Sequence, residues 1–104
     1  MGYIAGIGGA NMDIHGRSDR QLIMRDSNPG SLHTSLGGVC RNICENLARL
    51  GEDVRLITVV GDDVQGRGII EGCTKAGIDM RAARVLPGER SSSYISIMDG
   101  DGDM

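Results

Sequence analysis

Two runs of helical spacing, each closed by a glycine and each set between short apolar runs, constrain this 104-residue chain more than any other feature. Val39, Ile43, Leu47 and Leu50 recur at i, i+4, i+8 and i+11 after Gly37-Gly38, on one face of a helix, and Gly51 stands where helices favour a terminating glycine. A second helix begins at an aspartate cap, Asp62 or Asp63, runs to about Ala76 and stops at Gly77. Tyr3 to Ala10 is short, apolar and glycine-rich, which predicts a buried strand whose backbone passes close to a neighbour. Val54 to Val60 reads as one continuous apolar strand covered on both faces, and Met80 to Leu86 as a further strand. Strand, helix, strand, helix, strand is an α/β pattern with parallel crossovers.

Two segments stand outside that alternation. Asn11 to Leu36 is more polar and predicts two short strands around a turn at Ser27-Asn28-Pro29-Gly30, where proline presets φ and glycine accepts a positive φ. Ser92 to Met98 alternates like a half-exposed strand, and Asp99 to Asp103 looks like a turn after it. Two helices are too few to cover both faces of a parallel sheet, so a piece of a larger α/β protein is expected. The second helix also carries Gly66, Gly68 and Gly72, each costing about 1 kcal/mol relative to alanine, and depends on its neighbours to form.

Composition narrows the partners. With 11 basic and 14 acidic side chains and a net charge of −3, the chain has no field to gather phosphate backbones or anionic lipid, which argues against nucleic acid and membrane. Its longest apolar runs fall far short of the roughly 20 residues a bilayer crossing needs. Three cysteines, Cys40, Cys44 and Cys73, are an odd number without paired spacing, so a disulfide framework is not expected and a reducing, cytoplasmic location is. The core must be built from Ile, Leu, Val and Met, since there is no phenylalanine or tryptophan.

Asn11 and Asp13 follow the first strand, where ligand-facing residues of open α/β sheets gather. A carboxylate accepts from neighbouring hydroxyls and a carboxamide both gives and accepts, so the pair suits a sugar ring; the same residue types also build turns and caps. Gly37-Gly38 at a helix start bares backbone N–H groups for an oxygen-rich ligand, or simply supplies a flexible loop. Asn42, in the first turns of that helix, leans toward the same place. Other motifs fall short. Gly6 to Asn11 half-matches a dinucleotide fingerprint without its third glycine, and Asp99 to Asp103 opens like a calcium loop but lacks the glycine and the bidentate glutamate. Cys40 and Cys44 have no further ligands to complete a metal site and read as core cysteines, and His15 and His33 as solvated surface histidines.

Together, Gly8-Gly9-Ala10-Asn11-Met12-Asp13, Gly37-Gly38-Val39-Cys40-Arg41-Asn42 and Gly61-Asp62-Asp63-Val64-Gln65-Gly66 resemble the N-terminal third of the ribokinase-like (PfkB) sugar and nucleoside kinases. Within that family, Asp26 to Gly30, Gly37 to Asn42 and Pro87 to Tyr94 look most like pseudouridine kinases. The resemblance implies an α/β fold of the ribokinase-like three-layer α/β/α type with a small β lid, only its N-terminal part present, the lid formed by residues 11–36 and 92–104. It implies a sugar held between lid and sheet by Asn11, Asp13, Gly38 and Asn42, with Gly37 permitting close approach, and dimerisation through lids. Asp62-Asp63 with Gly66 is then a structural signature, an aspartate cap and a close helix–sheet contact, and no catalytic residue falls within the chain. Gly100-Asp101-Gly102-Asp103 matches the letters of the family's catalytic segment, but at the end of a lid-type strand with no helix after it. A longer parent would use ATP and Mg²⁺ to phosphorylate a primary hydroxyl of a sugar or nucleoside, while the 104 residues alone would be inactive and bind neither. The alternative is a self-contained α/β domain that binds a sugar or nucleotide without catalysis.

Overall fold

The computed structural model describes residues 2–101. Seven strands and two helices run in the order β1 (Ile4–Ile7), β2 (Asn11–Ser18), β3 (Gly30–Gly37), α1 (Val39–Arg49), β4 (Val54–Ile57), β5 (Val59–Gly61), α2 (Val64–Lys75), β6 (Arg84–Leu86) and β7 (Ser93–Met98). β1 pairs parallel with β4, Gly6 opposite Leu56, and α1 is the crossover between them. β5 pairs parallel with β6 across α2. The remaining strands form a separate three-stranded sheet in the order β3-β2-β7. The α/β alternation is therefore as expected, with the polar segment set apart from it.

The expected single strand from Val54 to Val60 is two strands broken at the buried Thr58, because the chain changes partner there: β4 is held by β1, and the Thr58 carbonyl accepts from the Arg84 N–H at 2.9 Å as β6 takes over. Nor is it covered on both faces by the described residues. Val54, Leu56 and Val60 are buried, whereas Ile57 and Val59 on the opposite face are exposed, as Ile7 and Val85 are. The core sits under the helices and joins Ala10, Cys44, Val54, Leu56, Val60, Ile69, Cys73, Ile78 and Met80.

Helix α1 departs from its sequence pattern. Of the stripe Val39, Ile43, Leu47 and Leu50, only Leu47 packs against the core, while Val39 and Leu50 are 79% and 78% exposed. The helix turns its cysteines inward, since the bare Gly6 backbone lies so near that a Cβ there would overlap the Cys44 sulfur. Small side chains opposite a glycine allow the helix to approach the strand closely. Gly51 ends the helix at φ 92° and Gly77 follows the end of α2 at φ 94°, both as expected.

Helix α2 starts at Asp63, whose Oδ1 accepts from the Gly66 N–H at 2.7 Å. Gly66 is buried, and a Cβ there would overlap the Gly61 carbonyl oxygen, so cap and close contact are both present. The turn between β2 and β3 falls at Met24-Arg25, with Arg25 at φ 63°, and not at Ser27 to Gly30. Asn28 instead braces the loop: its Oδ1 accepts from the Ile23 N–H and its Nδ2 donates to the Ile23 carbonyl. The strand expected from Met80 is only Arg84–Leu86. Of the expected turn at Asp99 to Asp103, the Asp101 N–H donates to Asp99 Oδ1 at 2.9 Å; Gly102 and Asp103 lie outside the described residues. No helix among the described residues is long and apolar enough to cross a membrane.

Candidate functional site

The three-stranded sheet has two unlike faces, because residues paired across strands share a face and alternate residues change it. Ile14 is paired with Ile95, and Gly16 with Leu32 and Ile97, which places Leu32, Ile95 and Ile97 together on an apolar face where all three are exposed. The other face carries Asn11, Asp13 and His15 of β2, Ser35 and His33 of β3, and Tyr94 and Ser96 of β7. Asn11 and Asp13 are both half-buried there, at the end of β2 that lies beside the start of α1.

Register brings four of the five expected residues together. Asn11 pairs with Gly37, and Asn11 Nδ2 donates to Asp13 Oδ1 at 2.5 Å. A Cβ on Gly37 would overlap the Asp13 carboxylate. Gly38 sits at φ 103°, a left-handed value that glycine adopts without strain, and a Cβ there would stand 3.1 Å from Asn11 Oδ1 and 2.6 Å from the Gly9 carbonyl oxygen. Gly37 is thus required by the Asp13 carboxylate, and Gly38 by its left-handed backbone and the Gly9 carbonyl, rather than by loop flexibility. The fifth residue is joined through the backbone: the Asn42 N–H donates to the Gly38 carbonyl at 2.9 Å. Its exposed side chain faces the Arg41 guanidinium, and among the described residues no hydrogen bond links Asn42 to Asn11 or Asp13.

The hydrogen bonds set the polarity of these groups. With one Nδ2 hydrogen of Asn11 given to Asp13 and the other still open, Asn11 Oδ1 and Asp13 Oδ2 remain as acceptors, and Asn42, whose Oδ1 is taken by Arg41, offers its Nδ2 as a donor. Such a set can hold hydroxyl groups. It does not fit a metal ion: it holds one carboxylate, and among the described residues no group of three His, Cys, Asp or Glu is placed to bind one. Two hollows elsewhere, one of about 380 Å³ between Ile7 and Arg84 and one of about 430 Å³ against Leu22 and Leu32, are not lined by Asp13 or Asn42.

Sequence reasoning missed three neighbours. Arg41 is buried, and the i, i+4, i+8 spacing of Arg41, Glu45 and Arg49 was the available sign of it. Hydrogen bonds from Arg49 and then Arg41 hold the Glu45 carboxyl below its usual range. His15 is not a free surface histidine. Its Nδ1 lies 2.6 Å from the buried Ser96 Oγ, and its ring stacks on His33 with centroids 6.5 Å apart. Ser91 reaches back over 28 positions to Asp63, its N–H at 2.8 Å and its hydroxyl at 2.7 Å from the carboxylate. Those two bonds, with the one from Gly66, hold the Asp63 carboxyl below its ordinary value. The cysteines are free thiols, and burial pushes those of Cys44 and Cys73 up, so they stay protonated at neutral pH.

Comparison with known proteins places the chain in a family. The chain is 40% identical over 102 residues to the pseudouridine kinase of Escherichia coli (strain K12), covering 98% of the chain and 33% of that protein. It is 34% identical over 104 residues to the guanosine-inosine kinase of Exiguobacterium acetylicum, covering 100% of the chain and 34% of that relative. A solved carbohydrate kinase from Agrobacterium tumefaciens superposes with a TM-score of 0.86 at 34% identity, over 99% of the chain and 33% of that structure. The chain thus spans about a third of the length of the relatives it matches. The profile of the pfkB family carbohydrate kinases matches residues 1–104 from end to end, and the chain belongs to that family.

Proposed function

We propose that this chain is the acceptor-binding part of an ATP-dependent sugar or nucleoside kinase. The observation that carries the reading is the Asn11–Asp13 pair set against Gly37-Gly38, at the junction of the separate sheet with helix α1. Asp13 Oδ2 and Asn11 Oδ1 accept from hydroxyl groups, Asn42 donates to one, and the open glycine backbone lets the ring approach. In a longer parent the γ-phosphoryl of ATP, with Mg²⁺, passes to a primary hydroxyl of the molecule so held. Phosphoryl transfer depends chiefly on placing the nucleophile in line and stabilising the charge of the transferred group. The residues of this chain supply the placing. Relatives named for pseudouridine, for guanosine and inosine, and as a sugar kinase set the acceptor among nucleosides and sugars. The β3-β2-β7 sheet then serves as the lid over the acceptor, and its apolar face as a dimer surface.

The test is a kinase assay of the full-length protein against a panel of sugars and nucleosides that includes pseudouridine. Turnover of one class is expected, with Asp13→Ala raising the acceptor KM at least tenfold, the size of losing one or two charge-assisted hydrogen bonds, while the ATP KM holds. No turnover on any member, or equal losses for both substrates, removes the reading.

A further inference from the structure

We infer that Arg41 is a positioning residue, which locks the Asn42 amide so that the acceptor meets its Nδ2 donor and never its carbonyl oxygen. This rests on the acceptor-site reading above. An exposed asparagine near the start of a helix has two amide orientations of nearly the same shape, one offering a donor and the other an acceptor. Here the choice is made by a neighbour that can only donate. Arg41 Nε and Nη2 lie 3.1 and 2.7 Å from the same Asn42 oxygen, and a guanidinium has no acceptor, so the atom facing it must be Oδ1.

Arg41 is itself held fast. It is only 6% exposed, its Nη1 is 2.7 Å from Glu45 Oε1, and Glu45 Oε2 is 2.8 Å from Arg49 Nε, a chain of charge-assisted bonds along two turns of α1. Its guanidinium also lies beside the buried Cys73 thiol of α2. A planar fork held on several sides fixes direction as well as charge. The site therefore has a defined polarity: Asn11 Oδ1 and Asp13 Oδ2 require donors, and Asn42 Nδ2 requires an acceptor. Adjacent alcohol groups meet that demand, since each hydroxyl gives one hydrogen bond and accepts others. An acceptor with one of those oxygens missing forfeits either the Asn42 bond or the Asp13 bond.

Two substitutions in the full-length kinase separate this role from a structural one. Asn42→Asp keeps an oxygen opposite Arg41 and replaces the donor by a second acceptor. It is expected to raise the acceptor KM about tenfold or more, with the ATP KM and the melting temperature maintained. Arg41→Met fills the space of the stem without the fork. It is expected to raise the acceptor KM about tenfold with the ATP KM unchanged, and Arg41→Lys, which keeps a donor, to recover part of the loss. A wild-type acceptor KM in Asn42→Asp overturns the inference, as does an Arg41→Met variant that weakens both substrates alike with no recovery by lysine. Asn42→Ala distinguishes the two levels. An unchanged acceptor KM there takes Asn42 out of the site and overturns this inference, while the acceptor-site reading stands or falls with Asp13→Ala; a raised KM beside a normal Asn42→Asp overturns the orientation alone.

Discussion

Asp63 shows how much one side chain can organise. Its carboxylate caps α2 through the Gly66 N–H and receives both the N–H and the hydroxyl of Ser91, while the Ser91 Oγ also accepts from the Gly61 N–H at 2.9 Å. One aspartate thus fastens the end of β5, the start of α2 and the segment leading into β7. The cap was legible in the sequence, because an aspartate before a helical run has a local use. The partner 28 positions away was not, because serine types carry no sign of what they will meet. Bonds to the charged form lower the folded pKa, so the stabilisation is complete above the unfolded value of about 3.9 and fades as pH falls through the lower folded one. Asp63→Ala is expected to lower the melting temperature at pH 7, with the gap from the parent closing below about pH 4, as thermal unfolding across that range would show. A gap that persists unchanged into acid would assign the loss to packing instead.

Helix α2 carries three glycines that propensity alone cannot justify, and their surroundings separate them. A Cβ on Gly66 would run into the Gly61 carbonyl oxygen, which belongs to the backbone of β5 and cannot step aside. A Cβ on Gly68 would meet only the Met12 methyl at 3.5 Å, an ordinary contact with a flexible end. Gly66→Ala should therefore cost about 1–3 kcal/mol of overpacking against a helix gain of about 1 kcal/mol, and destabilise. Gly68→Ala should keep that gain and leave stability equal or higher. Urea unfolding of the pair reads the difference in sign, and equal destabilisation would contradict the packing described. In α1 the lesson is reversed. The apolar spacing of Val39, Ile43, Leu47 and Leu50 located the helix, and the reading of Cys40 and Cys44 as core cysteines holds. Val39, Ile43 and Leu50 do not face inward, because periodicity finds a stripe and cannot see that Gly6 opposite draws the small cysteine side in.

The molecule is extended for its length. Its radius of gyration is 16.3 Å, where a compact domain of this size has about 13 Å, and its longest dimension is 56 Å. The projecting β3-β2-β7 sheet shows Leu32, Ile95 and Ile97 at 71%, 63% and 58% exposure on one face. Three exposed apolar side chains on one face are the ground for proposing a dimer surface there. If that face pairs with its own copy, Leu32→Asp combined with Ile97→Asp in the full-length protein will convert a dimer to a monomer in sedimentation, with the fold retained by circular dichroism. A monomeric parent protein would remove the dimer proposal and leave the acceptor site untouched.

The sequence by itself determined what depends on neighbours a few positions apart. It placed the helices and their glycine stops, the aspartate cap, the order of α/β crossovers, and the residue types able to hold hydroxyl groups. Tertiary structure decided what depends on contacts between distant segments. It broke the central strand at Thr58, chose the buried side of α1, tied Ser91 to Asp63 and seated Asp13 against Gly37, 24 positions on. It also set the Arg41 guanidinium against the Asn42 carbonyl oxygen. Periodicity and capping are written within one or two turns of chain, whereas register and burial follow from which surfaces meet, and only the folded backbone settles that.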